Sequence, residues 1–158
     1  MNVGILGGTR FIGFHLAESL LANGARVTIF HRGRTTEPRP FSGLVNRILG
    51  DRNDSSTLTE FFSRNYDAVI DLSGHNVSHV GPILTSWRGR IGHYLFCSTS
   101  AVYREPPPVD CDEKVPLEYE PGTYGGDKAL AERAIFHASH QYRWPATVFR
   151  PHAVFGPF

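Results

Sequence analysis

A chain of 158 residues is one domain's length and can bury roughly 70% of the surface its unfolded chain exposes. With 41% apolar and 20% charged residues and a net charge of +1, it has no general pull toward nucleic acid or anionic membrane, though a local basic patch stays open. No run approaches the ~20 apolar residues of a membrane span, and the apolar start lacks the basic opening of a secretory leader. In chain order, Met1–Leu6 reads as a short buried strand. Phe11–Asn23 has helical spacing, with Phe11, Phe14 (or His15), Leu16, Leu20 and Leu21 on one side, and Gly24 is its expected stop. Ala25–Phe30 is rich in β-branched residues and reads as a second strand. Residues 33–44 form a polar loop, and "NRILGD" is a weak third strand. Asp54–Arg64 predicts a helix capped by Asp54 or Ser55. "YDAVIDLSG" gives a fourth strand, and residues 78–90 a helix whose start is blurred by Gly81–Pro82. "IGHYLFCSTS" is a fifth strand, and prolines mark 104–121 as a surface loop. Tyr124–Tyr142 is a helix and "ATVFRP" a sixth strand.

Strands alternating with helices predict a parallel sheet covered on both faces. Right-handed crossovers then favour the α/β doubly wound Rossmann fold, with strand order 3-2-1-4-5-6. Cys97 and Cys111 form no CxxC pair and are expected as free thiols of a cytoplasmic protein.

In such a sheet a ligand sits beyond the carboxyl ends of the strands, where strand order reverses. The turn after the first strand lies there. Gly7 and Gly8 allow a sharp turn and close approach of backbone N–H groups to a pyrophosphate. Gly13 lets the helix pack near the strand, and the helix N-terminus adds partial positive charge. Further along, Tyr124 and Lys128 form Y-x-x-x-K on one helical face. An ammonium near a phenol favours phenolate, which makes a usable general acid/base.

"GGTRFIG", "STSAVY" and "YGGDK" together resemble the extended or atypical short-chain dehydrogenase/reductase superfamily, and within it the NAD-dependent epimerase/dehydratase group. That group carries G-x-x-G-x-x-G; Gly7 and Gly13 match its ends and Arg10 replaces the middle glycine. A branch similar to chloroplast stem-loop-binding proteins carries the same "GGTRFIG". The resemblance implies that Gly7, Gly8, Thr9, Arg10, Phe11, Ile12 and Gly13 hold the pyrophosphate. Arg10 pairs with it or points to solvent.

The acid usual at the end of the second strand is replaced by His31 and Arg32, with Arg34 following. This favours NADP, with NAD as the alternative. By resemblance, Asp51 and Arg52 meet the adenine end, and Leu72, Ser73 and Gly74 line the cofactor's path, with Ser98 beside it. Thr99, four residues before Tyr103, takes the catalytic Ser/Thr position, with Ser98 and Ser100 as fallbacks. Lys128 also holds the nicotinamide ribose.

The segment "RPHAVFGP" matches the family segment that opens the substrate lobe, and relatives continue well beyond Phe158. Residues 1–158 are therefore expected as a C-terminally truncated dinucleotide-binding domain, able to bind cofactor with little turnover alone. His75 and His79 are four apart, but with His93, His137, His140 and His152 scattered no metal site is expected. The function implied is an oxidoreductase- or isomerase-type enzyme acting on a nucleotide sugar or similar hydroxyl or carbonyl substrate. The alternative is a non-catalytic nucleotide- or RNA-binding module. The reading leaves homo-oligomerisation open.

Overall fold

The first strand, β1 (Asn2–Leu6), ends as the centre of the sheet because its two edges take different partners. β2 (Arg26–His31) pairs with it in parallel on one side and β4 (Tyr66–Asp71) on the other, with Leu6 facing Phe30 and Asp71 respectively. β3 (Val45–Leu49) extends the sheet beyond β2, and β5 (Ile91–Cys97) and β6 (Ala146–Phe149) extend it beyond β4. The order is β3-β2-β1-β4-β5-β6, as the sequence predicts. The computed structural model describes residues 1–86, 89–103, 109–110 and 112–157, leaving out the side chain of Ser55. Cys111 and the Pro106–Pro108 stretch of the expected loop lie outside the described residues.

Two apolar layers follow from the period-2 alternation of the strands. Val3, Ile5, Val27 and Ile29 pack against Ala17, Leu16 and Leu20 of α1 (Phe11–Ala22). On the other face Leu6, Val69, Tyr94 and Phe96 pack under α2 (Ser55–Phe62), α3 (Val77–Ser86) and α4 (Tyr124–Tyr142). Trp144 stacks on Tyr94 with ring centroids 5.3 Å apart and donates its indole N–H to the Ile91 carbonyl at 3.1 Å. This satisfies the one polar atom of the largest buried side chain.

The helix ends show why the elements stop where they do. The Ala25 N–H closes on the Leu20 carbonyl and the Gly24 N–H on Leu21, which ends α1 at the expected glycine. Asp54, not Ser55, caps α2: its carboxylate accepts the Ser56 N–H at 2.9 Å. α3 starts at Val77, with the Asn76 side chain accepting the His79 N–H, and Pro82 lies inside it. Thr123 caps α4 by accepting the Gly126 N–H at 3.0 Å. No helix among the described residues is long and apolar enough to cross a membrane.

Candidate functional site

The site is built at the carboxyl edge of the sheet from three turns. In the first, Gly7 has φ +87°, and a Cβ there would sit 3.0 Å from Ser73 Cβ. A Cβ on Gly13 would lie 2.5 Å from the Gly7 carbonyl and 2.8 Å from Gly8 Cα, so α1 starts hard against the turn only because both are glycine. A Cβ on Gly8 would point at the Ile29 side chain, into the core rather than toward a ligand. Phe11, at φ +46°, is held in a conformation L-residues rarely adopt. Thr9 is buried and shares a 2.8 Å hydroxyl hydrogen bond with Thr35, tying the turn to the loop after β2. Arg10 occupies the N-cap position without capping. Its exposed side chain lines a groove with Arg34, Thr35 and Glu37. The Gly13 and Phe14 N–H groups close on the Arg10 carbonyl, whereas Phe11 and Ile12, the first two residues of α1, have no preceding helical turn to supply an acceptor.

The second turn follows β4 and is organised by Asp71, which is wholly buried. Its carboxylate accepts two bonds from Arg52, at 2.8 and 2.7 Å, one from Tyr94 at 2.9 Å, and the Ser73 and Gly74 N–H groups. Burial alone would raise the Asp71 carboxyl, but the Arg52 guanidinium and the other donors hold it below the usual range. Arg52 also donates to the Ser73 hydroxyl and to the His79 carbonyl, so the arginine expected at the cofactor spends both terminal nitrogens on this buried hub, while its buried Nε has no partner among the described residues. Leu72 packs into the α1-side core, while Ser73 faces the cleft.

Between these turns lies a cleft of about 270 Å³. It brings together Gly7, Thr9, His31, Arg32, Arg34, Asp51, Arg52 and Ser73 of the expected cofactor residues, and also His75 and His79. His31 accepts the Gly33 N–H on Nδ1 at 3.2 Å, and burial lowers its pKa, so the neutral ring carries its proton on Nε2. The Asn53 N–H holds the Asp51 carboxyl below its ordinary range, and Arg32 and Arg34 add to this. The two exposed arginines therefore share the cleft with a carboxylate.

The third turn follows β5. The Lys128 ammonium is buried, donates to the Cys97 carbonyl at 2.6 Å and lies 4.8 Å from the Phe96 ring centroid. Burial lowers its pKa. Thr99 accepts the Ala101 N–H at 3.2 Å, which leaves its hydroxyl hydrogen to donate elsewhere. The buried Ser98 hydroxyl has no partner among the described residues. Tyr124 is the first residue of α4 and 56% exposed, one helical turn from Lys128.

Sequence reasoning missed the parts that hold this region. A Cβ on Gly125 would overlap the Ala101 carbonyl, so α4 packs directly on the short helical turn Ser100–Val102 after Thr99. Arg150 pairs with buried Glu132 at 2.7 Å and donates to the Tyr103 hydroxyl at 2.7 Å, fixing β6 to α4 and to the β5 exit. His75, noted only for its spacing from His79, lies against Tyr124. Among the described residues no group of three or more His, Cys, Asp or Glu could hold a metal.

A family model described as "NAD dependent epimerase/dehydratase family" matches residues 3–158. The chain is 28% identical to the chloroplast stem-loop binding protein of 41 kDa b from Arabidopsis thaliana, over 97% of this chain and 42% of that protein. It is 29% identical to a UDP-glucose 4-epimerase from Neisseria meningitidis, over 85% of this chain and 47% of the relative. Its fold matches a UDP-glucose 4-epimerase from Bifidobacterium longum, solved in complex with NAD+ and UDP. The TM-score is 0.82 at 21% identity, covering 95% of this chain and 52% of that one. The chain thus spans under half the length of these curated relatives.

Proposed function

This chain belongs to the NAD dependent epimerase/dehydratase family of the extended short-chain dehydrogenase/reductase superfamily, and from that premise we propose that it is a nicotinamide-dinucleotide-binding domain whose Thr99, Tyr124 and Lys128 serve acid/base chemistry on a nucleotide-sugar hydroxyl. The observation carrying the reading is the buried Lys128 ammonium one helical turn from exposed Tyr124, at the same sheet edge as the glycine turn. The residues present fit a dinucleotide: glycines at 7 and 13 let the turn close up against the start of α1, whose first N–H groups and positive end suit a pyrophosphate. Arg10 adds a charge at that helix start.

A bound nicotinamide ring would supply the hydride acceptor. The chain's own work is to move the proton and hold the substrate oxygen. Tyr124 as phenolate takes the proton of the substrate hydroxyl and returns it at the end of the turnover. Lys128 stabilises the phenolate by its charge, and the positive end of α4 adds to this. Thr99 donates its hydroxyl hydrogen to the same substrate oxygen.

We carry NAD forward as the cofactor in place of NADP. Arg32 and Arg34 support NADP by their charge. Against this, they share the cleft with the ionised Asp51, and Glu37, held by Arg47 at 3.1 Å, puts a second carboxylate on the loop after β2. NAD+ is also the ligand named for the Bifidobacterium longum enzyme. The name of the Arabidopsis relative supports an RNA-binding role, which a net charge of +1 does little to help.

Calorimetry of the chain with NAD, NADP and a stem-loop RNA tests this. NAD binding tighter than either rival is expected; tighter RNA binding would replace the reading. In a chain of its relatives' length, Tyr124→Phe should lower turnover of a UDP-sugar by about 10²–10⁴-fold, and full activity would remove Tyr124 from the acid/base role.

A further inference from the structure

We propose that His75 is a positioning residue for Tyr124, the side chain through which an occupied dinucleotide cleft reaches the acid/base. The proposal rests on the role given to Tyr124 above. His75 follows directly on the Leu72–Gly74 turn and lines the cleft with Thr9, Asp51 and Ser73. On its other side its ring centroid is 6.1 Å from that of Tyr124, with the planes inclined at 56°. It therefore touches both halves of the site.

The backbone beneath this ring is fixed. The His75 N–H donates to His79 Nδ1 at 3.1 Å, and the two rings lie 5.8 Å apart. The His79 carbonyl in turn accepts from Arg52 at 2.9 Å, which binds the pair to the buried Asp71 hub. Tyr124 lacks such support: it opens α4, so no preceding helical turn packs beside it, and it is 56% exposed. A long ring so exposed has several rotamers open to it, and contact with a fixed neighbour selects among them.

The charges around His75 are Lys128 from α4, Arg52 after β3, Arg32 after β2 and Asp71 from β4, with the titratable rings of His79 and Tyr124 against it. The residue is exposed as a whole, yet the cleft walls desolvate its ring, and Lys128 and Arg52 add to this in holding the imidazole below the ordinary histidine range. At neutral pH it packs on Tyr124 uncharged. Protonation puts another cation near Lys128 and changes the surroundings of the phenol. A pyrophosphate in the cleft opposes that repulsion, so ligand and proton act on Tyr124 through the same ring.

The test is NMR of the Tyr124 and His75 ring signals in the chain, followed from about pH 8 to about pH 5 and then with added ADP, which fills the cleft without bringing a nicotinamide ring to Tyr124. Tyr124 signals should show an inflection below about pH 6.5 that His75→Phe abolishes. ADP at neutral pH should move the Tyr124 signals in the parent, lose most of that effect in His75→Ala, and regain it in His75→Phe, which restores a ring without a titration. A Tyr124 spectrum flat across that pH range overturns the proposal, and so does an equal ADP response in His75→Ala and the parent. If ADP leaves the Gly7 and Ser73 amide signals unmoved, the cofactor reading fails instead, and the pH arm alone decides the His75–Tyr124 coupling.

Discussion

Replacing Arg52 by methionine removes one partner of a buried ion pair and leaves the other charge in place. The lost bonds are the two to Asp71, at 2.8 and 2.7 Å, together with those to the Ser73 hydroxyl and the His79 carbonyl. Breaking a buried pair in this way costs about 3–5 kcal/mol. Asp71 keeps three donors, from Ser73, Gly74 and Tyr94, which places the expectation at about 3 kcal/mol, the lower end of that range. For a chain of this size that lowers the melting midpoint by about 6–12 °C. The pH dependence has a definite sign. The folded Asp71 carboxyl is held below its unfolded value of about 3.9, so the pair's stabilisation is present at neutral pH and is lost as pH falls toward the folded value. Without Arg52, burial raises the same carboxyl, which takes up a proton earlier in the descent and relieves the buried charge. The gap between variant and parent therefore narrows as pH falls from about 7 to about 4, and Asp71→Asn added to Arg52→Met recovers part of the loss. Urea denaturation at both pH values measures it. A gap under about 1 kcal/mol at neutral pH, or one independent of pH, would refute the account of the hub.

Gly125→Ala places a Cβ on the Ala101 carbonyl and should cost about 1–3 kcal/mol or more, because backbone must move; a thermal melt superimposing on the parent would contradict the α4 packing. Gly13→Ala puts its Cβ 2.5 Å from the Gly7 carbonyl, so α1 must retreat from the turn. NAD affinity by calorimetry should fall well below that of the parent, and unchanged affinity would put the pyrophosphate elsewhere. Burial raises the Cys97 thiol above its ordinary pKa, so a maleimide probe should label it in the native chain far more slowly than in urea; equal rates would mean the β5 end is open.

What could be read from the sequence was whatever leaves a local or periodic mark. The α1 stop at Gly24, the α4 bounds and the strand order all follow from spacing and composition, and the structure has them in place. The hub was not legible. Arg52 and Asp71 lie 19 residues apart on different elements, and a single buried pair writes no period into a chain. Arg52 was therefore read as a neighbour of the adenine end. The four-residue spacing of His75 and His79 was weighed only for a shared metal; that His75 sits in the turn before α3, with its N–H on the His79 ring, leaves no mark in the sequence. Gly8 was read as room for a phosphate, whereas its Cβ direction leads to Ile29. Gly125 lies unremarked inside Y-x-x-x-K; only the position of the Ala101 carbonyl shows why a side chain is excluded.

The central place of β1 has a consequence for how the chain is made. Its first edge is taken by β2 soon after both are synthesised, but its second must wait for β4. Asn2 donates to the Asp67 carboxylate across a separation of 65 residues. At about 5–20 residues per second, that interval leaves the second edge of Val3–Leu6 without its partner for roughly 3–13 s of translation. An apolar strand with open backbone groups is a template for pairing with the wrong chain. Rapid synthesis or early shielding by a holdase should thus raise the soluble yield, whereas substitutions that slow the closing of β4 on β1 should lower it.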